Sequence, residues 1–268
     1  MSANTGKQSD RVLVNGIHIY YEVHGSDAGT PIVLLHGGGS TIDSNFGRVL
    51  PFLSRTRRVI ALDEQGHGRT SDRDQPVTFE DSADDVAGLL GALHVSQADL
   101  LGFSNGASVA LQVAIRHPQL VRKLVFASSF TKREGAQPQL WEFIKQADIT
   151  NMPQALKDAF LAVNPDTDKL KTMHDKDAAR MAGFRDLPDA AVRGVLAPTL
   201  IITGDRDVTR LEHALELSRL FPDARLLVLP GGHGDYLAEA STAPADTDYA
   251  EITARLLERF LSEPQRLH

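Results

Sequence analysis

The pentapeptide at residues 102–106, G-F-S-N-G, constrains the fold of this chain more than any other segment. It follows the apolar run 98–101 and opens a helix-like stretch at 107–117. A G-x-S-x-G pattern between a strand and a helix is typical of a nucleophile elbow, a turn so sharp that its central residue takes a strained backbone conformation. The positions two before and two after the serine must be small, because larger side chains would collide there. The pattern predicts that Ser104 stands at the carboxyl end of a strand.

A second glycine-rich turn lies upstream, where the β-rich run 31–35 ends in H-G-G-G-S at 36–40. Glycines in such a turn let a backbone N–H approach a substrate oxygen closely, as an oxyanion hole requires. A second donor would be the N–H of Asn105, which follows Ser104 at a helix N-terminus, where the helix dipole favours negative charge.

Two further turns place an acid and a base downstream. The apolar run 199–203 leads into a turn with Asp205 and Asp207, and the run 225–229 leads into P-G-G-H-G, which carries His233. Polar residues just past strand ends lie where open α/β sheets place their ligand sites. The residues follow the chain order Ser, Asp, His, which predicts a catalytic triad. Either aspartate could be the acid, and either could instead cap the helix that begins near residue 208.

Strand and helix patterns alternate over most of the chain. We predict an opening hairpin at 11–15 and 17–24, further strands at 31–35, 58–62, 98–101, 123–127, 199–203 and 225–229, and helices at 46–54, 79–94, 107–117, 211–220 and 249–261. This alternation implies βαβ units and one mostly parallel, wound sheet flanked by helices. Residues 239–247 are predicted to form a polar loop.

The alternation stops near residue 131 and resumes near residue 196. The apolar residues between show no convincing strand, so we predict a helical insertion at 131–195 in a core formed by 1–130 and 196–268. Trp141 and the methionines of the insertion could line an apolar acyl or alcohol site, although we favour a role in the core of the insertion.

Composition excludes several function classes. The chain of 268 residues has a formal net charge of −7, which argues against a nucleic-acid or anionic-membrane partner. It has no cysteine, so disulfides, thiolate nucleophiles and cysteine metal sites are excluded, and this suits a reducing cytosol. No H-x-x-x-H pair supports a metal, and no G-x-x-x-x-G-K-[ST] supports a nucleotide cofactor.

The polar residues 1–10 lack a signal-peptide core, and no apolar run approaches the ~20 residues that span a bilayer. We therefore expect a cytoplasmic protein without metal or cofactor that acts on a small molecule; the oligomeric state is not predicted.

These motifs together resemble the α/β-hydrolase superfamily over nearly the whole chain. Residues 63–71, D-E-Q-G-H-G-R-T-S, are similar to that family's D-x-x-G-x-G-x-S segment, with Thr70 where the pattern usually has serine. The turn at 36–39 is similar to its HGGG-type loop, and Gly204-x-x-Asp207 to its acid turn.

The resemblance implies roles for individual residues. It favours Asp207 over Asp205 as the acid, and Gly38 as the upstream oxyanion donor with Gly39 as the alternative. It places a substrate-shaping cap at the insertion, and it implies that His36 and His67 hold loops. Asp63 is expected to hold a turn, and Phe103 to line the pocket or to pack.

The sequence therefore predicts a serine hydrolase that cleaves a small to medium carboxylic ester. Ser104 would attack the carbonyl, His233 would act as base, Asp207 would orient His233, and the amides of Gly38 and Asn105 would bind the oxyanion. A lactone or a carbon–carbon bond of a β-diketone-type substrate is the alternative for the same triad. A ligand-binding protein with little or no turnover is the alternative of another class.

Overall fold

The predicted strands assemble into one eight-stranded sheet in the computed structural model, which describes residues 7–26, 29–241 and 248–264. The strands are β1 (Gln8–Val14), β2 (Ile17–His24), β3 (Ile32–Leu35), β4 (Val59–Leu62), β5 (Ala98–Phe103), β6 (Val121–Ala127), β7 (Thr199–Gly204) and β8 (Ala224–Leu229). Their order in the sheet is β1-β2-β4-β3-β5-β6-β7-β8. Residues 242–247 of the predicted loop and residues 1–6 lie outside the described residues.

The first two strands form the predicted hairpin, and the remaining strands form a parallel sheet. β1 pairs antiparallel with β2, and β2 pairs antiparallel with β4, whereas every other neighbouring pair is parallel. The hairpin turns at Asn15 and Gly16, whose φ angles are 48° and 85°. Two successive positive φ angles characterise the type I′ turn that matches the twist of paired strands. The predicted mostly parallel, wound sheet is thus confirmed.

The helices cover both faces of the sheet. They are α1 (Ile42–Phe46), α2 (Leu50–Leu53), α3 (Phe79–Ala92), α4 (Asn105–Arg116), α5 (Pro138–Lys145), α6 (Gln154–Val163), α7 (Thr167–Ala182), α8 (Asp189–Arg193), α9 (Leu211–Leu220) and α10 (Tyr249–Ser262). The single helix predicted at 46–54 is wrong. Pro51 lacks the N–H that would donate to Gly47, so α1 ends before that glycine and a separate helix follows.

The inner strands are apolar throughout because both of their faces are covered. In β3, Val33 and Leu35 pack in one core cluster with residues of α3, α4 and α9. Ile32 and Leu34 pack in a second cluster with residues of α1, α2 and α10. The carboxyl ends of the parallel strands are thereby held between two helical layers, and the turns that follow them lie at one edge of the sheet.

Between β6 and β7 the chain forms the four helices α5–α8, and residues 131–195 contain no β-strand. We call these residues the helical insertion; their role as a cap stays a prediction. The insertion has a small core of its own, formed by Met152, Leu156, Phe160, Leu170 and Met173. Within the three described stretches, no helix is both long and apolar enough to cross a bilayer.

Candidate active site

Ser104 occupies the elbow between β5 and α4 that the sequence predicts. Its backbone has φ 54° and ψ −119°, a conformation that side-chain-bearing residues rarely adopt. A Cβ added to Gly102 would lie 2.2 Å from the carbonyl oxygen of Gly106, and one added to Gly106 would lie 2.1 Å from the carbonyl oxygen of Leu35. Neither position has room for a side chain, which is why the turn needs glycine on both sides of the serine.

The structure brings His233 and Asp207 together. Nδ1 of His233 lies 2.7 Å from Oδ1 of Asp207, and the Val208 amide donates to the same oxygen. Thr203 Oγ1 and the Gly204 amide donate to Oδ2. Burial alone would raise the pKa of Asp207, but the charge and hydrogen bond of His233, with the other donors, lower it to about 2. The carboxylate therefore only accepts, and Nδ1–H donates. In neutral His233 this leaves the lone pair on Nε2.

Two other carboxylates near the site, those of Asp205 and Asp235, hold the turns in place. Asp205 Oδ1 accepts a hydrogen bond from the Gly231 amide at 2.7 Å, and Asp235 Oδ2 accepts one from the Gly232 amide at 2.6 Å. A Cβ on Gly204 would lie 2.3 Å from the Gly231 carbonyl oxygen, so the acid turn and the histidine turn are in direct backbone contact. Of these three aspartates, Asp207 contacts the imidazole.

Two residues that the sequence analysis missed extend this network. Ser128 Oγ donates a hydrogen bond to Asp207, and the hydroxyl of Tyr236 lies 2.6 Å from the same Oγ. Since the serine proton is given to Asp207, the tyrosine hydroxyl donates to the serine. Burial, together with the charge of Asp207, raises the pKa of Tyr236, which is fully buried. The position of Ser128 directly after β6, at the sheet edge that carries the other site residues, was the signal that could have revealed it.

The glycine loop distinguishes between its two candidate oxyanion donors. The Gly39 amide donates to Asp177 Oδ2 at 2.7 Å, and the Gly37 amide donates to Asn45 Oδ1 at 2.8 Å. Within the described part of the chain, the amides of Gly38 and Asn105 have no protein acceptor. Gly38 and Asn105 are therefore available, and their role as the oxyanion pair stays a prediction.

Asp177, on α7, belongs to a buried charge cluster with His67, Arg180 and Glu64. Its carboxylate contacts His67 Nε2 at 2.9 Å and Arg180 at 2.7 Å, and Arg180 lies 3.3 Å from Glu64. Burial opposes the charge of Asp177, but Arg180 and His67 hold the pKa of that carboxyl far below its usual value. The cluster joins the helical insertion to the loop after β4 and, through Gly39, to the glycine loop.

His67 is a cation in this cluster. Its Nδ1 lies 3.0 Å from the carbonyl oxygen of Gln65, while its Nε2 faces the carboxylate of Asp177. Both partners can only accept, so both ring nitrogens carry a proton. Burial would lower the pKa of His67, but Asp177 outweighs that effect and raises it.

The predicted loop-holding role of the neighbouring side chains agrees with the contacts. His36 Nε2 accepts from the Glu64 amide at 3.0 Å, so its Nδ1 donates to the Gly37 carbonyl at 2.8 Å. Asp63 accepts from the amides of Ile42 at 2.9 Å and Arg69 at 3.0 Å.

The sequence did carry a signal for Asp177, which the sequence analysis did not predict. The buried residues of α7 recur at 170, 173, 177 and 180, so two charged residues fall on its apolar face.

A cavity of about 330 Å³ lies between the sheet edge and the helical insertion, and both Ser104 and His233 line it. Phe103 lines it as well and packs against the imidazole, with ring centroids 4.7 Å apart. Met152 and Met181 contribute to the wall. Trp141 instead packs against Phe130 and Phe184 and donates its indole N–H to the Arg133 carbonyl.

Among the residues described, no group of three or more potential ligands could hold a metal ion.

A parallel sheet covered on both faces, with a serine elbow beside an aspartate-bound histidine, defines the class of the α/β hydrolases. The sequence model of the alpha/beta hydrolase fold family matches residues 30–171. A 2-hydroxymuconate semialdehyde hydrolase of Pseudomonas sp. (strain CF600) is 32% identical over 90% of this chain and 97% of the relative. The serine hydrolase BPHL of Mus musculus is 30% identical over 96% of this chain and 87% of the relative. The crystal structure of the enol-lactonase from Burkholderia xenovorans LB400 superposes with a TM-score of 0.74 at 23% identity and covers 95% of this chain and all of that one.

The chain belongs to the α/β hydrolase fold family, and it is a hydrolase.

Proposed function

We propose that this hydrolase cleaves a small to medium carboxylic ester through an acyl-enzyme on Ser104. The observation that carries the proposal is the 2.7 Å contact between His233 Nδ1 and Asp207, because it leaves Nε2 as a base in the cavity that Ser104 lines. A free serine hydroxyl is a poor nucleophile at neutral pH, so such a base is what the reaction needs.

In the first half of the reaction, Nε2 of His233 accepts the Ser104 hydroxyl proton as Oγ attacks the ester carbonyl. The positive charge that forms on the imidazole is stabilised by Asp207, which is fully buried and ionised. The tetrahedral intermediate places its oxyanion between the amides of Gly38 and Asn105. Each such donor typically contributes about 3 kcal/mol to the transition state.

In the second half, His233 gives its proton to the leaving alcohol and then activates water, which cleaves the acyl-enzyme. Ser128 and Tyr236 act at a distance from the substrate, since they hold the second oxygen of Asp207. The first oxygen is thereby kept on the imidazole through both steps.

A second candidate is the cleavage of a lactone or of a carbon–carbon bond beside a ketone, with the same residues. The observation that favours it is the 32% identity to a 2-hydroxymuconate semialdehyde hydrolase over nearly the full length of both chains. A C–C hydrolase must also protonate a carbon leaving group, and His233 is the group of this site that can supply that proton.

Burst kinetics with p-nitrophenyl butyrate tests the proposal. The wild type should release about one equivalent of p-nitrophenol rapidly and then turn over steadily, and Ser104→Ala should lose both phases while remaining folded. Ser218→Ala is the matched control, because Ser218 is half-buried on α9, does not line the cavity, and donates to the Leu215 carbonyl. A folded wild type that is inert on esters, while it cleaves lactones or β-diketones, would favour the second candidate. Binding without any turnover would favour the ligand-binding alternative.

We also propose that the protein has no nucleic-acid partner and is cytoplasmic. The net charge of −7 disfavours nucleic acid as a partner, and the absence of cysteine suits a cytoplasmic location. Fractionation of cells that express the chain tests the location directly.

A further inference from the structure

The composition of the cavity wall points to the charge of the substrate. We propose that the catalytic cavity accepts esters with uncharged acyl groups and rejects those that carry a second, free carboxylate. This inference rests on the proposed ester hydrolysis, which supplies the reaction by which the selection is measured.

The wall that faces the elbow is apolar and comes mainly from the helical insertion. Its apolar side chains include Leu140, Ile144, Met152, Leu156, Met181 and Phe184. No lysine or arginine of the described residues lines the cavity. Among these described residues, a substrate carboxylate would find no lysine or arginine with which to pair.

Two carboxyl groups line the cavity in place of cations. Asp177 is ionised, and Glu239 is buried beside Ser241, whose amide donates to it at 2.8 Å. Burial raises the pKa of Glu239 even though Ser241 and His233 act in the opposite direction, which is the response of a carboxyl group to a site with little solvent. A substrate carboxylate would meet the same conditions.

The nearby cations are already committed to partners. Arg180 pairs with Asp177 and Glu64, its side chain is 2% exposed, and its guanidinium lies 4.8 Å from the ring centre of Phe79. His67 uses both nitrogens, as described above. Neither side chain lines the cavity, and either cation would have to move away from a buried carboxylate to reach a ligand there, which is strongly unfavourable.

An imidazole and two backbone amides could also receive an anion. His174 lines the cavity, but its Nδ1 lies 3.1 Å from the carboxylate of Asp175. In the proposed mechanism the amides of Gly38 and Asn105 bind the reacting carbonyl oxygen, so a distant carboxylate cannot use them in a productive complex. A carboxylate that loses its water without gaining a partner is expelled, and the acyl group that carries it binds poorly.

Three p-nitrophenyl esters with matched six-carbon acyl chains test the inference. The hexanoate is apolar, the methyl adipate is polar but uncharged, and the hydrogen adipate carries a free carboxylate at neutral pH. We expect kcat/KM for the hexanoate and the methyl adipate to agree within about tenfold, and kcat/KM for the adipate to be at least about 100-fold lower.

A matched pair of variants places the effect in the cavity wall. Met181→Lys adds a cation on α7 beside the substrate, whereas Met181→Gln adds a polar group of similar length without charge. For each variant we compare kcat/KM for the methyl adipate with kcat/KM for the adipate. We expect the ratio of these two values to be at least about tenfold smaller in the lysine variant than in the glutamine variant.

The outcomes separate the inference from the function on which it rests. If all three esters are inert, ester hydrolysis itself fails. If the adipate is cleaved as efficiently as the methyl adipate, ester hydrolysis stands and the charge selection is overturned. This comparison uses the wild type alone, so it holds even if a Met181 variant does not fold.

Discussion

Two aspartate–histidine pairs adjoin the catalytic cavity, and they differ in what the second ring nitrogen of the histidine contacts. In the pair of His233 and Asp207, Nδ1 faces the carboxylate, and the His233 side chain is 26% exposed where it lines the cavity. In the pair of His67 and Asp177, Nε2 faces the carboxylate, Nδ1 faces a carbonyl oxygen, and the His67 side chain is 2% exposed.

The two pairs show that a carboxylate beside an imidazole does not by itself make a base. The carboxylate stabilises the imidazolium in both pairs, but a base also needs a nitrogen that can accept a proton. In His233 that nitrogen is Nε2, because Nδ1 faces Asp207 and the side chain lines the cavity. His67 has an acceptor at each nitrogen, so it holds both protons and serves as a fixed cation. Three substitutions test this difference, beginning with the largest expected effect.

Asp207→Asn should lower kcat by about 10⁴-fold with little change in folding, because the amide can donate to Nδ1 and thereby select the wrong tautomer of His233. Steady-state kinetics with p-nitrophenyl butyrate measures this effect. Asp205→Asn is the matched control two residues away; its amide oxygen can still accept from Gly231, so its kcat should stay within a few-fold of the wild type. Equal losses in the two variants would contradict the assignment of Asp207.

Asp177→Ala should destabilise the fold by about 3–5 kcal/mol, since it leaves the cations of His67 and Arg180 buried without their shared carboxylate. Urea unfolding gives the free energy. Asp175→Ala, two residues earlier on the same helix, removes exposed contacts with Lys171 and His174 and should change stability by no more than about 0.5 kcal/mol. A small effect for Asp177 would mean that the charge cluster does not hold the insertion.

His67→Gln should show the smallest effect, and that effect should depend on pH. The pKa of His67 is raised in the fold, so its contribution to stability is complete below the unfolded value of 6.5. It is lost as the pH rises above that value and through the folded pKa. The difference in unfolding free energy between the wild type and the variant should therefore be larger at pH 6 than at pH 9. A difference that is constant over this range would show that His67 is not charged.

The position of the His233 pair follows from sequence because each of its residues comes directly after an apolar strand. Parallel strands bring their carboxyl ends to one edge, so order along the chain is enough to predict that Ser104, Asp207 and His233 meet. The resemblance of Gly204-x-x-Asp207 to the acid turn of the family favoured Asp207 over Asp205, and the contact with the imidazole agrees with that choice.

The His67 pair does not follow from sequence in the same way. Asp177 lies on a helix of the insertion, 110 residues from His67, and only the packing of that helix against the core brings the two together. A charged residue on an apolar helix face signals a buried partner, but it does not say which residue the partner is. The choice between the Gly38 and Gly39 amides depended on the same packing, since Asp177 engages Gly39.

The bond from Gly39 to Asp177 also bears on how a substrate reaches Ser104. To swing α7 outward would pull Asp177 away from His67 and the Gly39 amide, and it would also pull Arg180, which lies on the same helix, away from Glu64. This side of the cavity is therefore a fixed wall. The facing helix α5 has no buried residue, and Phe143 at the cavity is 48% exposed. Displacing α5 breaks the contacts of Trp141 but uncovers no fully buried residue of that helix, so the easier way into the cavity runs past Phe143.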